Sequence, residues 1–373
     1  MNLKSISVII FLLGLNPQIY SQISSGGVYP DAGKVILNPL RLNCRKGIFY
    51  EVINQEYEAD FNLKNLFTHN ESLLRNTDTK QAEEEPENVL SVSATGGLLQ
   101  ETEEFYSTSS FYQSYKIKNT FSEKFSLGLV VRIEYAKREE LGFEDIKRLY
   151  DNTVLTANYN FNPYNSLGIF GGASISDTTV TSYGFSYRAL IENDDFSFLN
   201  ILTLSNDYFY YWNDVAQNFA SDNMSFTYGK VNLTAEFYAG VVDLNYIEDY
   251  TATARNPNTM FNVQLQYRIF SEPVVNAGIL FNARNFKYRS PLYYSPSHRN
   301  MAGGFANFYD SFGKIYLYLN GGMRIATDNV FIWDFDSEVG YDYNNFSVSI
   351  GVGRYNDPYY ANYNTFLNLT KIF

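Results

Sequence analysis

Five arginines and four carboxylates stand at positions that alternate with apolar residues: Arg132, Arg188, Arg268, Arg284 and Arg324, then Asp334, Asp336, Glu338 and Asp342. The acidic set shares one parity of a single short segment, so an extended chain projects it from one face as a ladder. Tyr316 and Tyr318 share the parity of Arg324 in the segment before it. Such groups pair ions and exchange hydrogen bonds along a wetted surface. They can guide a hydrophilic polymer or small solute, or brace an interior that they fill. Groups able to make and break bonds are scarce. The chain has two histidines, His69 and His298, and one cysteine, Cys44. His298 follows Ser297 in the run Ser295-Pro296-Ser297-His298-Arg299, but adjacent side chains on an extended segment point apart and no G-x-S-x-G elbow occurs. No Cys/His cluster has metal-ligand spacing. The carboxylates Glu248, Asp249 and Asp357 lack a calcium-loop pattern and read as solvating groups. The reading is therefore of a chain without catalytic, cofactor-binding or metal residues.

The elements that must carry the charged rungs show the same alternation. In Gly313–Arg354, Ile315, Leu317, Leu319, Met323 and Ile325 alternate with Lys314, Tyr316, Tyr318, Asn320 and Arg324. Phe331, Trp333, Phe335, Val339, Tyr341 and Tyr343 then share one parity, opposite the acidic ladder. Successive strand side chains point to opposite faces, so this is a ribbon with one greasy and one ionic face. Segments at 125–137, 151–161, 183–192 and 261–269 repeat the pattern, and about sixteen strands are expected from residue 89 onward. An arginine or lysine at the lipid midplane of a barrel wall costs about 2–4 kcal/mol, and Asp or Glu somewhat less. So many ionic rungs must face inward. The predicted fold is all-β, an antiparallel up-and-down transmembrane β-barrel of about sixteen strands.

Connection lengths point the same way. Every second connection is tight: Ser122-Glu123-Lys124, Pro163-Tyr164-Asn165, Asn193-Asp194, Ser271-Glu272-Pro273, Phe312-Gly313 and Asn344-Asn345. The others read as longer and polar: Lys137–Lys147, Asn206–Asn223, Glu248–Asn258, Tyr288–Asn300 and Tyr355–Asn362. Short turns at one end and long loops at the other are the habit of outer-membrane barrels. Between the eighth and ninth strands, near Thr234–Ala239, the parity is ambiguous.

Composition agrees. Tyr and Phe number 33 and 30 against 2 Trp, a bias toward strand formers. A formal net charge of -12 offers no basic footprint for nucleic acid, so no nucleic-acid partner is expected. A single cysteine excludes a disulfide-stapled domain. At the N-terminus, Lys4 precedes the apolar run Ile6–Leu15, with Ser21-Gln22 after it; residues 1–21 read as a secretory signal peptide. Residues 22–88 place Phe49, Ile53, Tyr57 and Phe61 at helical spacing and end in the acidic Gln81–Glu87, which suggests a short, partly helical leader followed by a linker. Its readings are a plug or periplasmic contact segment, and a loosely docked leader. Residues 89–373 are the barrel.

Two features carry a resemblance. Tyr293-Tyr294-Ser295-Pro296, in an outer loop after the long strand at Val274–Tyr288, looks like the aromatic-Ser-Pro motif in the barrels of exopolysaccharide export proteins and the related YaiO-type barrels. The chain also ends with Leu367, Leu369 and Phe373 on one parity, which resembles the C-terminal signal read by the outer-membrane assembly machinery, although Lys371 departs from it. The resemblance implies an outer-membrane barrel in contact with membrane lipid, a sixteen-stranded pore, and a nascent polysaccharide as cargo. Large exporters carry a periplasmic repeat solenoid, which 22–88 is too short to supply. The resemblance therefore implies either a separate periplasmic bridging protein or another role. Closed structural or adhesive use, with aromatic loop tips at Tyr208–Trp212, Tyr293–Tyr294 and Tyr359–Tyr363 for glycan or protein, stays open beside the pore.

Overall fold

The computed structural model describes residues 89–373 apart from 104–105, 123, 141–144, 163, 178, 194–195, 211–214, 244–254, 272, 289–295 and 344–345. The expected signal peptide and the leader at 22–88 lie outside the described residues.

Sixteen strands follow one another: β1 (Val89–Glu103), β2 (Tyr106–Ser122), β3 (Phe125–Glu140), β4 (Ile146–Asn162), β5 (Asn165–Ile175), β6 (Thr179–Glu192), β7 (Phe196–Tyr210), β8 (Val215–Tyr228), β9 (Val231–Asp243), β10 (Arg255–Ser271), β11 (Val274–Phe286), β12 (Arg299–Phe312), β13 (Ile315–Ala326), β14 (Phe331–Tyr343), β15 (Phe346–Asp357) and β16 (Tyr360–Ile372). Each pairs antiparallel with its neighbours in sequence, and β1 closes the ring on β16. Closure satisfies every strand edge within the wall, which a sheet in hydrocarbon requires. The last residue joins in, since the Phe373 N–H donates to the Leu90 carbonyl at 2.9 Å.

Burial runs opposite to that of a soluble sheet. Leu155, Ile169, Ile279, Met323 and Ile350 are more than half exposed, whereas Glu134, Arg284, Arg324 and Asp334 are at most 5% exposed. The exposed parity is the greasy one, so it faces outward and the ionic parity inward. Outward aromatics gather near the tight turns, where Phe121, Phe125, Tyr159, Phe161, Tyr228, Tyr267, Phe312 and Tyr343 are exposed. A second group, including Tyr135, Tyr183 and Phe331, lies toward the opposite end. Two aromatic belts with aliphatic residues between them match the interfacial girdles of a membrane barrel.

Two expectations about connections need correction. The eighth and ninth strands meet at Gly229-Lys230, with Gly229 at φ 54°, and β9 runs unbroken through Thr234–Ala239. The parity blurred there because outward Ala235 and Ala239 are small while inward Tyr238 is aromatic. The loops expected at Lys137–Lys147, Asn206–Asn223 and Tyr355–Asn362 are also shorter than read. β7 continues to Tyr210, β8 starts at Val215, and β15 and β16 are separated only by Pro358 and Tyr359. Beyond the greasy belt both faces of a hairpin can be polar, so the alternation that marks a strand disappears while its hydrogen bonds continue.

The inner wall carries aromatic rings laid flat against glycines. Tyr316 is the register partner of Gly340, and a Cβ at Gly340 would stand 1.9 Å from a Tyr316 ring carbon. Phe305 lies in the same way beside Gly278, at 2.7 Å from the Cβ position. Gly340→Val must therefore push the Tyr316 ring off the wall. We expect it to destabilise the barrel by about 1–3 kcal/mol, the range for overpacking, read as a lowered urea midpoint. An unchanged midpoint would refute the contact.

Candidate functional site

All eleven inner-face candidates occupy the inward parity of their strands. Arg132 donates to the Glu134 carboxylate at 2.8 Å and lies over the Tyr112 ring at 4.3 Å. Arg188 and Arg268 are half-buried on β6 and β10. Arg284 is buried, with its guanidinium 4.7 Å from the Phe286 ring centre. Arg324 on β13 bonds Asp334 on β14 and faces the Tyr355 ring at 5.7 Å. Asp336 accepts from the Asn320 amide at 3.3 Å, and Glu338 accepts from the Tyr316 hydroxyl at 2.5 Å. Tyr318 is buried in the next rung, and Asp342 is half-buried toward the turn end. Three of the four rungs, Asp334, Asp336 and Glu338, are thus held by donors from β13, the neighbouring strand. Strand period alone aligns the rungs, because residues two apart fall on one face.

The structure adds groups that the sequence reading did not single out as a site, and it corrects the reading of Asp357 as a solvating loop group, since Asp357 is buried at the end of β15. Arg299, at the start of β12, makes two bonds to Asp357, at the end of β15, at 2.7 and 3.1 Å. Asp328, in the turn between β13 and β14, stands 3.7 Å from the same guanidinium, and the Tyr359 ring lies 4.9 Å from it. Arg299 therefore reaches over the β13–β14 hairpin and ties three connections of the loop end together. Its register partner on β11 is Arg284, a like charge directly opposite. Such a pair is unfavourable by itself, and the Asp357 and Asp328 carboxylates offset it. No local signal marks Arg299 and Asp357 as partners, since 58 residues separate them.

A third group is an arc of amides. Asn256, Asn258, Asn262, Gln264, Asn276 and Asn282 are all buried on the inner faces of β10 and β11. Asn282 donates to Asn262, and Asn276 donates to Asn307 of β12 at 2.7 Å. Amides offer donors and acceptors without charge, and these six are at most 3% exposed. The acidic ladder on β14 is separated from the arc by β12 and β13, and β10 and β11 also carry the inward Arg268 and Arg284.

The inner belt nearer the loop end is apolar. Phe219 and Tyr238 stack with ring centres 5.1 Å apart, and Met260, Met301, Ala326, Ile332, Tyr355 and Tyr360 continue the cluster from strand to strand. Tyr238, Ile332 and Tyr355 have no exposed surface.

No protein-family model and no curated protein matches the sequence. Among solved structures, the barrel is similar to a bacterial polysaccharide outer membrane secretin, with a TM-score of 0.58 at 10% identity, over 76% of this chain and 98% of that one. The protein is a bacterial outer-membrane barrel. Weaker likenesses are to Acinetobacter baumannii OccAB1, TM-score 0.44 at 11% identity over 79% and 99% of the two chains. Pseudomonas aeruginosa OccK7 is comparable, at 0.43 and 8% over 77% and 99%. At such identities the likeness is one of fold.

In this outer-membrane barrel the end whose seven connections are all two or three residues long takes the periplasmic side, and the end with the longer connections at 244–254 and 287–298, beside short ones such as Pro358-Tyr359, the extracellular side, following the general rule for such barrels. Of the loop motif, Tyr293, Tyr294 and Ser295 lie outside the described residues. Pro296 is described and buried, and its carbonyl accepts from the Phe286 N–H at 3.0 Å. His298 is exposed at φ 54°, and its backbone N–H donates to the Asn285 side chain at 3.2 Å. Trp212 and its neighbour Tyr211 lie outside the described residues; Tyr359 and Tyr363 are exposed and Tyr360 is buried. Among the described residues no group of three or more His, Cys, Asp and Glu is placed to hold a metal.

Proposed function

We propose that this chain is an outer-membrane conduit without enzymatic activity, passing a hydrophilic solute, with an exopolysaccharide as the cargo class. The observation that carries the reading is the composition of the inner wall. An amide arc on β10 and β11 and an acidic ladder on β14 share the wall, and the Tyr316 and Phe305 rings lie flat over Gly340 and Gly278. Rungs of amide and carboxylate let a polyhydroxylated chain trade one hydrogen bond for the next, which permits movement without tight retention. The eleven ionic and tyrosyl residues named above are proposed as lining. Under this reading the partners are a nascent polysaccharide and a protein bridging the periplasm, while the assembly machinery reads the strand ending in Phe373. Residues 22–88 are proposed as a leader or plug on the periplasmic side.

A second reading, a closed barrel displaying adhesive loops, is favoured by two particular observations. Tyr238, Ile332 and Tyr355 are fully buried, and the Arg299–Asp357 tie braces the extracellular rim. Recording from purified protein in planar bilayers separates the two. We expect stepwise ohmic conductance from the full chain, and a larger step after deletion of residues 22–88. Silence from both proteins would overturn the conduit, and retained glycan binding by the silent barrel would favour the adhesive one.

A further inference from the structure

The outer wall carries one feature that a conduit does not need. Asp222 on β8 is a register partner of Leu202 on one side and Phe237 on the other, both exposed and lipid-facing, so its carboxylate lies on the greasy face. It sits six residues from the periplasmic end of β8, where Tyr228 marks the aromatic belt, and seven from the other end. At about 3.3 Å per residue and a tilt of 35–45°, that is roughly 15 Å into a belt of about 25 Å. Asn200 on β7 donates to the Asp222 Oδ1 at 2.5 Å. The pair lies on the diagonal of the β7–β8 ladder, since Asn200 is opposite Met224. Three of the outward residues around it are small, since Ala220 and Ala239 are register partners and Ala235 is the partner of Met224, while Leu202, Phe237 and Met224 are large. Elsewhere the greasy face is built up by Leu155, Ile169, Met323 and Ile350, each more than half exposed. Another outward carboxylate, Asp151, lies only five residues from the extracellular end of β4, near the aqueous interface.

We propose that this face of β7–β9 is the contact between two copies of the chain, related by a two-fold axis along the membrane normal. Lipid tails offer neither donors nor acceptors, so a mid-wall carboxylate and amide call for a partner that supplies both at the same depth. A second copy does so by symmetry. A two-fold axis parallel to the normal preserves depth and reverses left and right, which sets Asn200 of one copy against Asp222 of the other, twice. Asn200 has a second amide proton and Asp222 a second oxygen, so the four groups close a reciprocal ring of hydrogen bonds. Small residues on both sides let the two walls approach, as small residues do in membrane helix pairs. A partner of different sequence would need its own matched set at that depth, whereas the second copy brings one.

The test uses the full chain with Cys44→Ser, so that the only thiols are introduced ones. Ala220→Cys, beside the axis, is expected to give a disulfide-linked dimer under mild oxidation in outer-membrane vesicles, and Leu98→Cys on β1 is expected to stay monomeric. Asp222→Leu added to Ala220→Cys should lower the crosslinked fraction at least tenfold, while the protein keeps its heat-resistant mobility and so remains folded. Asp222→Asn, which keeps an acceptor and adds a donor, should retain most of the dimer. Photobleaching of singly labelled protein in lipid vesicles should show two steps, and one step after Asp222→Leu. Equal crosslinking with and without Asp222→Leu would overturn the proposal, as would one-step bleaching of the unaltered chain. A crosslink to a protein of another mass in native membranes would overturn it in favour of a foreign partner.

Discussion

Arg299→Met will lower the stability of the folded barrel by about 3–5 kcal/mol, the cost of breaking a buried ion pair and leaving one charge behind. Arg299 is 5% and Asp357 3% exposed, and their two bonds share the fork geometry that makes arginine–carboxylate pairs strong. Asp357 also accepts from the Tyr359 N–H at 3.0 Å and stands 3.4 Å from the Tyr355 hydroxyl. These groups cannot neutralise the stranded carboxylate. The loss is largest at the extracellular rim, where β12, the β13–β14 turn and the β15–β16 turn would no longer be tied. Urea unfolding followed by tryptophan fluorescence in lipid vesicles measures it, since Trp333 sits on β14 close to that rim. Asp357→Leu combined with Arg299→Met removes both charges, and the double variant should be less destabilised than the sum of the two single ones by at least about 1.5 kcal/mol. Additive losses, or a single-variant loss below about 1 kcal/mol, would mean that the tie does not brace the rim.

The second large effect is on ion selectivity. Asp336→Asn with Glu338→Gln replaces two carboxyl groups of β14 with amides while keeping acceptors for Asn320 and Tyr316. It also leaves the Arg324–Asp334 pair intact, so no buried arginine is orphaned. A unit charge about 5 Å from a passing ion in water contributes about 0.8 kcal/mol, close to fourfold in local concentration. At a pH high enough to ionise both carboxyl groups, their loss from a conduit should therefore shift the cation-to-anion permeability ratio toward anions by roughly four- to tenfold at low salt, and by less at high salt, where screening is stronger. The reversal potential across a potassium chloride gradient reads the shift directly. An unchanged reversal potential, with conductance preserved, would place the ladder away from the ion path and count against its role as lining.

Much of the fold was legible because lipid imposes a simple rule on a strand. Each residue must be greasy or not according to parity, so segments such as Ile315–Ala326 and Phe331–Tyr343 announce both their strand character and their inward face. Reading failed where that rule is not enforced. At Thr234–Ala239 small outward alanines and an inward tyrosine removed the contrast, and a continuous strand looked like a junction. Past the extracellular belt, water accepts either face, and the ends of β7, β8 and β15 read as loop.

Parity was also blind to neighbours beyond the next strand. That Arg324 faces inward follows from Ile325 and Met323 beside it, but that it bonds Asp334 depends on the register of β13 on β14. The tie from Arg299 to Asp357 depends on more, since it needs two strands and a turn between the partners to be short enough for one side chain to cross. The same distinction separates the two proposals about the wall. Asp222 is an ordinary polar residue in the sequence, and only the placement of Leu202 and Phe237 on either side reveals that it looks into lipid. Local alternation is determined by each residue and the solvent it meets, so it is written in the chain. Which side chains meet across the ring is determined by strand register, stagger and closure, which arise from all sixteen strands at once.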